Sequence, residues 1–357
     1  MSRTTRAYAL SLLVLAALSA ACSKEAVQPK PVEQPKDTID RQRLTAFAPL
    51  PDAKPAKDTP ITDDLVTLGR MLYYEPRLSK SQTISCNSCH DLANYGVDGQ
   101  PTSDGHKGLR GDRNSPTVFN AAAHFAQFWD GRAPDVEEQA KGPVLNPVEM
   151  AMSGEKVVVA VLESMPEYVV LFKKAFPGQA KPITYDNMAR AIGAFERRLM
   201  TPSRWDELLK GDPNALTRDE AIGLNAFLDA GCQVCHSGAL LGGTSYQKIG
   251  VVKAYPRSAD PGRFKVTKND ADKAMFKVPS LRNVEKTGPY FHDGGTPDLD
   301  QAVRDMGEYQ LGRALTAEET KQIIDFLKLL TGTIDPEFIK PPTLPPSTAS
   351  TPKPDER

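Results

Sequence analysis

The stretches that decide the fold read Cys86-Asn87-Ser88-Cys89-His90 and Cys232-Gln233-Val234-Cys235-His236. Each has the pattern Cys-x-x-Cys-His, which attaches a haem through two thioether bonds and places a histidine next to the iron. The spacing allows both sulfurs to reach one edge of the planar macrocycle. A zinc ribbon or a redox dithiol also uses Cys-x-x-Cys. The histidine that follows in both copies favours two c-type haems.

The composition is that of a soluble globular protein, with 40% hydrophobic and 25% charged residues in a chain of 357. This length is enough for two domains of ordinary size. The formal net charge of −1 argues against binding to nucleic acid or to an anionic membrane surface.

The first 21 residues have the layout of a secretory signal, with a basic start, an apolar stretch and small residues before a cleavage point. We therefore expect a periplasmic protein, which agrees with the attachment of c-type haem outside the cytoplasm in bacteria. Cys22 follows a segment that resembles a lipobox, although the leucine lies one position too far back. A lipid anchor at Cys22 is one interpretation, and an ordinary free thiol is the other.

The rest of the chain divides by composition. Residues 22–60 and 335–357 are rich in proline, and we expect a flexible tether and a flexible tail. Between them we predict two haem domains, residues 61–200 and 201–334. Apolar residues recur with helical periodicity across both domains, and strand signals are few and short. The predicted fold is mainly α, with two cytochrome c-like haem domains.

Three threonines mark predicted helix starts. Thr62 precedes an amphipathic stretch that leads to the first haem motif. Thr217 opens a capping box just before the second motif, and Thr316 opens another near the end of the second domain. A C-terminal helix packed near an N-terminal one is how small cytochrome c domains close, so we expect the helices after Thr217 and Thr316 to pack together.

The sixth ligand of each iron decides whether a haem transfers electrons or reacts with peroxide. His106 lies in a loop, residues 96–111, that contains five glycines, so it could bind the first iron and leave on demand; a solvated loop histidine is the alternative. Met306 is a candidate for the second haem, with Met275 nearly as plausible. His292 lies in a turn beside aromatic residues, where it could line a haem edge.

Between about residue 60 and residue 332, the chain resembles the bacterial dihaem cytochrome c peroxidases. The resemblance rests on many separate matches in the same order along the chain. These are both haem motifs, His106, Phe128-Trp129-Asp130-Gly131-Arg132, Gln139, Asn146-Pro147-Val148-Glu149-Met150, Val278-Pro279-Ser280-Leu281-Arg282-Asn283, the His292 turn and Met306-Gly307-Glu308-Tyr309-Gln310-Leu311-Gly312.

The resemblance implies different roles for the two haems. The first would be the low-potential peroxidatic haem with His106 as a removable ligand, and the second the high-potential haem with Met306. Trp129 matches the tryptophan that passes electrons between them. Glu149 and Gln139 match the distal residues that handle peroxide, with Glu149 as acid and base.

The resemblance also implies a calcium ion between the domains. Its ligands would be Asn114 and the backbone carbonyls near Lys277 and Pro279, since calcium prefers oxygen ligands.

The expected activity is reduction of hydrogen peroxide to water by electrons from a small periplasmic redox protein, a cytochrome c or a cupredoxin. Members of the family are commonly homodimers. A non-catalytic dihaem electron-transfer cytochrome is one alternative. Another is a cofactor-maturing oxidase of the kind that modifies methylamine dehydrogenase, in which a tyrosine binds the second iron; Tyr309 keeps that possibility open.

Overall fold

The computed structural model describes residues 37–51, 60–257 and 259–355. The predicted signal at 1–21 and Cys22 lie outside these residues. The described part is mainly helical, as predicted, and none of its helices is long and apolar enough to cross a membrane. Its α-helices are α1 Asp63–Tyr73, α2 Cys86–Cys89, α3 Val136–Leu145, α4 Glu155–Glu163, α5 Pro166–Ala175, α6 Tyr185–Glu196, α7 Arg204–Lys210, α8 Arg218–Asp229, α9 Phe264–Thr267, α10 Leu299–Asp305, α11 Ala317–Leu329 and α12 Pro336–Ile339.

One small sheet lies in the described residues. Strands β1 (Tyr246–Lys248) and β2 (Met275–Lys277) pair antiparallel, with Tyr246 opposite Lys277. The short 3-10 helices include Arg41–Ala46, and Met306–Gln310 forms a π-helical turn directly after α10.

The core of the predicted first haem domain is built on α1 and α6. The hydroxyl of Thr62 accepts a hydrogen bond from the Leu65 amide (3.2 Å) and caps α1, as the sequence predicted. Where the two helices cross, a Cβ on Gly69 would lie 1.8 Å from the Ala191 carbonyl oxygen. Only glycine allows this close approach, and the apolar side chains of residues 65–199 form one large core around it.

The core of the predicted second haem domain is built on α8 and α11, which pack together as predicted. Both helices begin with the predicted capping boxes at Thr217 and Thr316. Gly223 permits their close contact, because a Cβ there would lie 2.2 Å from the Gln322 carbonyl oxygen. The core of this domain uses residues 205–330 together with Leu44 and Phe47.

Part of the predicted tether differs from the expectation. The Phe47 ring packs edge-on against Trp205, with ring centroids 5.3 Å apart, and Leu44 is buried beside it. The Leu50 amide donates to the Asp206 carboxylate. The prediction of a flexible segment over 22–60 is therefore wrong for residues 37–51, because the apolar residues between the prolines are enough to join the second core.

The predicted flexible tail also packs. The Phe338 ring lies edge-on against Phe195, with centroids 5.8 Å apart, and the Pro345 carbonyl accepts a hydrogen bond from Arg77 (2.7 Å). The hydroxyl of Thr351 is 3.0 Å from that of Ser164. A proline-rich segment offers carbonyl acceptors along a preformed extended backbone, which explains how it satisfies buried donors of the first domain.

Candidate functional site

The first haem motif lies in a single turn of helix. Ser85 and Ser88 close a capping box around α2, and the His90 amide donates to the Cys86 carbonyl (3.0 Å). Both cysteines have free thiols, and burial raises the pKa of Cys89 to about 11 and that of Cys86 further. Burial therefore disfavours the thiolate form of both sulfurs.

The second motif has a related shape. Gly231 adopts a left-handed conformation (φ +88°) before the 3-10 turn that begins at Cys232, and the thiols of Cys232 and Cys235 are free, with pKa values raised by burial. The Nδ1 atom of His236 lies 3.1 Å from the Leu241 carbonyl oxygen. This hydrogen bond fixes the ring and leaves Nε2 free to bind a metal ion.

A cavity of about 520 Å³ opens beside the first motif. This volume is within the range of small-molecule and cofactor sites. Its lining includes eight of the site residues predicted from the sequence: Cys86, Cys89, His90, Asn114, Trp129, Gln139, Glu149 and Lys277. Burial lowers the pKa of His90, so its imidazole is neutral and able to act as a ligand. Two cysteines that form no disulfide, an imidazole whose neutral form is favoured by burial, and an adjoining cavity together fit a haem attached at residues 86–90.

Glu149 is a half-buried carboxylate in this cavity. Burial raises its pKa, and the charge of Arg132 and a hydrogen bond from Asn146 act in the opposite direction. The Asn146 side-chain nitrogen lies 2.8 Å from Oε1 of Glu149. Gln139 reaches the same cavity from α3. The site therefore holds a proton acceptor and a neutral amide on the side chains that the sequence predicted.

His106 is buried, but it is not among the residues that line the cavity. Its backbone amide donates to the carbonyls of Val148 (3.0 Å) and Glu149 (2.8 Å). A Cβ on Gly105 would lie 1.9 Å from the Val148 carbonyl oxygen, so the loop sits directly on this segment. Its role as a removable iron ligand stays a prediction.

Trp129 lies between the predicted calcium ligands. Its indole nitrogen donates to the Asn114 carbonyl (2.9 Å), and its own carbonyl accepts from the Lys277 amide (2.7 Å). The side-chain nitrogen of Asn114 donates to the Gln100 carbonyl, which leaves Oδ1 available for a cation. Pro279 follows Lys277 after one residue, and the calcium ion itself stays a prediction.

The candidate ligands for the second iron lie in different elements. Met306 begins the π-helical turn and is half-buried, whereas Met275 lies in β2 opposite Lys248. The Tyr309 ring packs edge-on against Tyr255, with centroids 5.5 Å apart, and the Lys253 ammonium is 5.6 Å from its centroid.

Several polar contacts of the site were not predicted from the sequence, including those of the Lys277 side chain, whose residue was selected only for its backbone carbonyl. Arg113 binds Asp130 (2.7 Å) and Asp260 (2.6 Å), and so joins the tryptophan turn to the second domain. The Lys277 ammonium lies in the cavity wall, 2.8 Å from Nδ1 of His124. Burial lowers the pKa of Lys277 to about 7, and burial and the Lys277 charge hold the pKa of His124 well below its usual value. No local sequence pattern indicates contacts over these separations.

Comparison with known proteins gives the family. Residues 63–214 match the family described as di-haem cytochrome c peroxidase. The chain is 50% identical over 297 residues to a cytochrome c551 peroxidase of Nitrosomonas europaea, covering 83% of this chain and 87% of that protein. The chain belongs to the di-haem cytochrome c peroxidase family. Two haems are therefore its expected cofactors.

Two further comparisons agree. A cytochrome c551 peroxidase of Pseudomonas aeruginosa is 46% identical over 326 residues, covering 90% of this chain and 93% of that protein. The crystal structure of a MauG-like protein associated with microbial copper homeostasis superposes with a TM-score of 0.72 at 28% identity, over 85% of this chain and 98% of that one. Members of this fold therefore differ in their described roles, and the residues of the cavity have to carry the functional argument.

Proposed function

We propose that this chain is a cytochrome c peroxidase that reduces hydrogen peroxide to two waters. The observation that carries the proposal is the cavity in which the motif at residues 86–90 meets the side chains of Glu149 and Gln139. A carboxylate placed beside the haem motif favours a peroxidase over a pure electron-transfer cytochrome. The relatives named as cytochrome c551 peroxidases support the same activity.

The cofactors would be two covalently attached haems, one on Cys86 and Cys89 and the other on Cys232 and Cys235. When bound, each haem supplies an iron that accepts and donates single electrons. The protein contributes the axial imidazoles. The two Cys-x-x-Cys-His turns, in which none of the four cysteines forms a disulfide, support attachment through thioethers.

Proton transfer falls to the side chains of the first cavity. Cleavage of the peroxide O–O bond needs a proton moved from one oxygen to the other, and a carboxylate can act first as base and then as acid. Glu149 takes this role, and its raised pKa suits a group that must also return the proton. Gln139 orients the substrate by hydrogen bonding, and Asn146 holds the Glu149 carboxylate in place.

Electrons would enter in the second domain, where Met306 is the proposed iron ligand, and Trp129 would carry them to the first cavity. A small cytochrome c or a cupredoxin is the proposed donor. The position of Trp129, bonded to Asn114 from one domain and to Lys277 from the other, supports this route. The packing of Tyr309 against Tyr255 favours Met306 over Tyr309 as the ligand, and so favours a peroxidase over a cofactor-maturing oxidase.

Calcium would bind at Asn114 and the carbonyls of Lys277 and Pro279, and would hold the two domains in the active arrangement. The proposed location is the periplasm, since residues 1–21 have the layout of a signal peptide. Lipidation of Cys22 and a homodimeric assembly are further parts of the proposal.

The test uses the purified holoprotein and a reduced small cytochrome c, whose peroxide-dependent oxidation is followed by absorbance. The wild type should need prior reduction of the second haem, and His106→Gly should be active without it. Lys107→Gly, in the same loop with an exposed side chain, is the matched control and should behave like the wild type. Absence of peroxide turnover in the fully haem-loaded, reduced wild type would refute the proposed activity. A His106→Gly variant that still needs reduction would place the gate elsewhere.

A further inference from the structure

Among the described residues, five cationic side chains line the cavity beside the first haem motif. One of them differs from the rest because it contacts no carboxylate. The five are Arg110, Arg113, Arg132, Lys265 and Lys277. The first four each contact a carboxylate at 2.6 to 3.4 Å. No ion pair of the described residues includes Lys277.

The ammonium of Lys277 has two uncharged partners. It lies 2.8 Å from Nδ1 of His124 and 2.9 Å from the Ala126 carbonyl oxygen. An ammonium has three donors, so these two acceptors leave one donor over. Lys277 is only 7% exposed, which leaves little water to solvate that donor. A buried cation with no carboxylate in contact is unfavourable. Asp130 acts on the Lys277 charge without a direct contact, so a group in the cavity is a source of a carboxylate that could contact the ammonium.

We propose that Lys277 binds a propionate carboxylate of the haem attached at Cys86 and Cys89. This inference rests on the proposed function, since it needs a covalently attached haem in this cavity. The thioethers fix the vinyl side of the macrocycle to the first domain. Lys277 is the last residue of β2, which belongs to the predicted second domain, and it lines the same cavity. His124 and Ala126 position the ammonium, and the carboxylate supplies the missing charge.

The position of Lys277 gives this contact a consequence for the haem. The Lys277 amide also donates to the carbonyl of Trp129 (2.7 Å). One residue of the second domain therefore contacts both the proposed electron relay and the proposed haem carboxylate. A positive charge held beside the first haem favours the reduced iron, so it raises the reduction potential of that haem.

The test measures the reduction potentials of both haems in the holoprotein. Lys277→Met removes the charge and Lys277→Gln removes it while keeping a hydrogen-bond donor, so one variant remains if the other fails to fold. Both should shift the potential of the first haem to lower values and leave that of the second unchanged. Lys265→Met is the matched control, since Lys265 lines the same cavity but is 44% exposed and paired with Asp112, and its shift should be smaller. Equal potentials in the wild type and both Lys277 variants would overturn the assignment.

Two further measurements distinguish a failure of the proposed function from a failure of the propionate contact. Pyridine haemochrome spectra and the mass of the peptide containing residues 86–90 report whether haem is attached at all, and a chain without attached haem refutes the proposed function instead. Addition of acetate at constant ionic strength should not change the wild-type potential. A potential that follows the acetate concentration in the wild type, but not in Lys277→Met, would assign the position to a free carboxylate and overturn the propionate contact.

Discussion

Replacement of Glu149 by glutamine tests the chemistry of the cavity most directly. Glutamine keeps the shape of the side chain and an oxygen that can accept the hydrogen bond from Asn146, which lies at 2.8 Å, but it cannot take a proton. Loss of a positioned general base costs a factor of roughly 10² to 10⁴ in rate, or about 3 to 5 kcal/mol of transition-state stabilisation. We expect kcat/KM for peroxide to fall by this factor while the spectra of both haems stay unchanged.

The protonation state of Glu149 sets the pH dependence of peroxide reduction. The reactive form of Glu149 is the carboxylate, and burial raises its pKa, so activity should be lost as the pH falls through that raised value. The Asn146 hydrogen bond stabilises the carboxylate by about 1.5 to 3 kcal/mol, the range for bonds to charged groups. Asn146→Ala should therefore move the acidic limb of the kcat/KM profile to higher pH.

The assay is stopped-flow oxidation of the pre-reduced holoprotein by peroxide, with haem content measured for each variant. Glu138→Gln is the control, because Glu138 lies on the same helix as Gln139 and its side chain is 48% exposed. Wild-type kcat/KM in Glu149→Gln, or an equal loss in Glu138→Gln, would refute the assignment of the base. An Asn146→Ala pH profile that coincides with that of the wild type would show that the hydrogen bond does not change the pKa of Glu149.

Three predictions concern stability. Asp206→Asn should lower the free energy of unfolding by about 3–5 kcal/mol in urea titrations, because the Arg282 guanidinium would lose its charged partner. The side chain of Asp206 is 1% exposed and that of Arg282 is 0% exposed. A loss of free energy no larger than that of an exposed ion pair would contradict this prediction. Burial raises the pKa of Glu196 to about 8 from 4.5, so its folding contribution is present below pH 4.5 and is lost as the pH rises through 8. Glu196→Gln should therefore raise Tm at alkaline pH and not at acidic pH, and calorimetry at the two values checks the sign. Truncation after Lys340 should destabilise the first domain by about 1–3 kcal/mol, since Arg77 loses buried acceptors at 2.7 and 3.0 Å; an unchanged urea midpoint would argue against it.

The haem motifs, the helix caps and the mainly helical fold could be predicted because their signals are local. Each N-cap signal, at Thr62, Thr217 and Thr316, is contained within four residues of sequence. A Cys-x-x-Cys-His motif is contained within five. The contacts that shape the cavity join residues that are far apart in the sequence. Lys277 meets His124 across 153 positions of sequence, and nothing near either residue indicates the other.

The prediction that both proline-rich ends are flexible was wrong for a related reason. Composition predicts whether a segment can build its own core, and these segments cannot. It does not predict whether they can dock on a core built by others. Phe47 and Phe338 each place one ring against an aromatic residue of a domain that is already formed, and those partners are distant in the sequence.

The loop that carries His106 and the segment that carries Glu149 form one mechanical unit. The His106 amide binds the carbonyls of Val148 and Glu149 at 3.0 and 2.8 Å, and Gly105 approaches the Val148 carbonyl more closely than any other residue could. Movement of the loop backbone at His106 would therefore alter hydrogen bonds to the backbone of the proposed base. Ligand release and placement of Glu149 would then occur together, so a single loop would both open the iron and position the carboxylate that handles the proton.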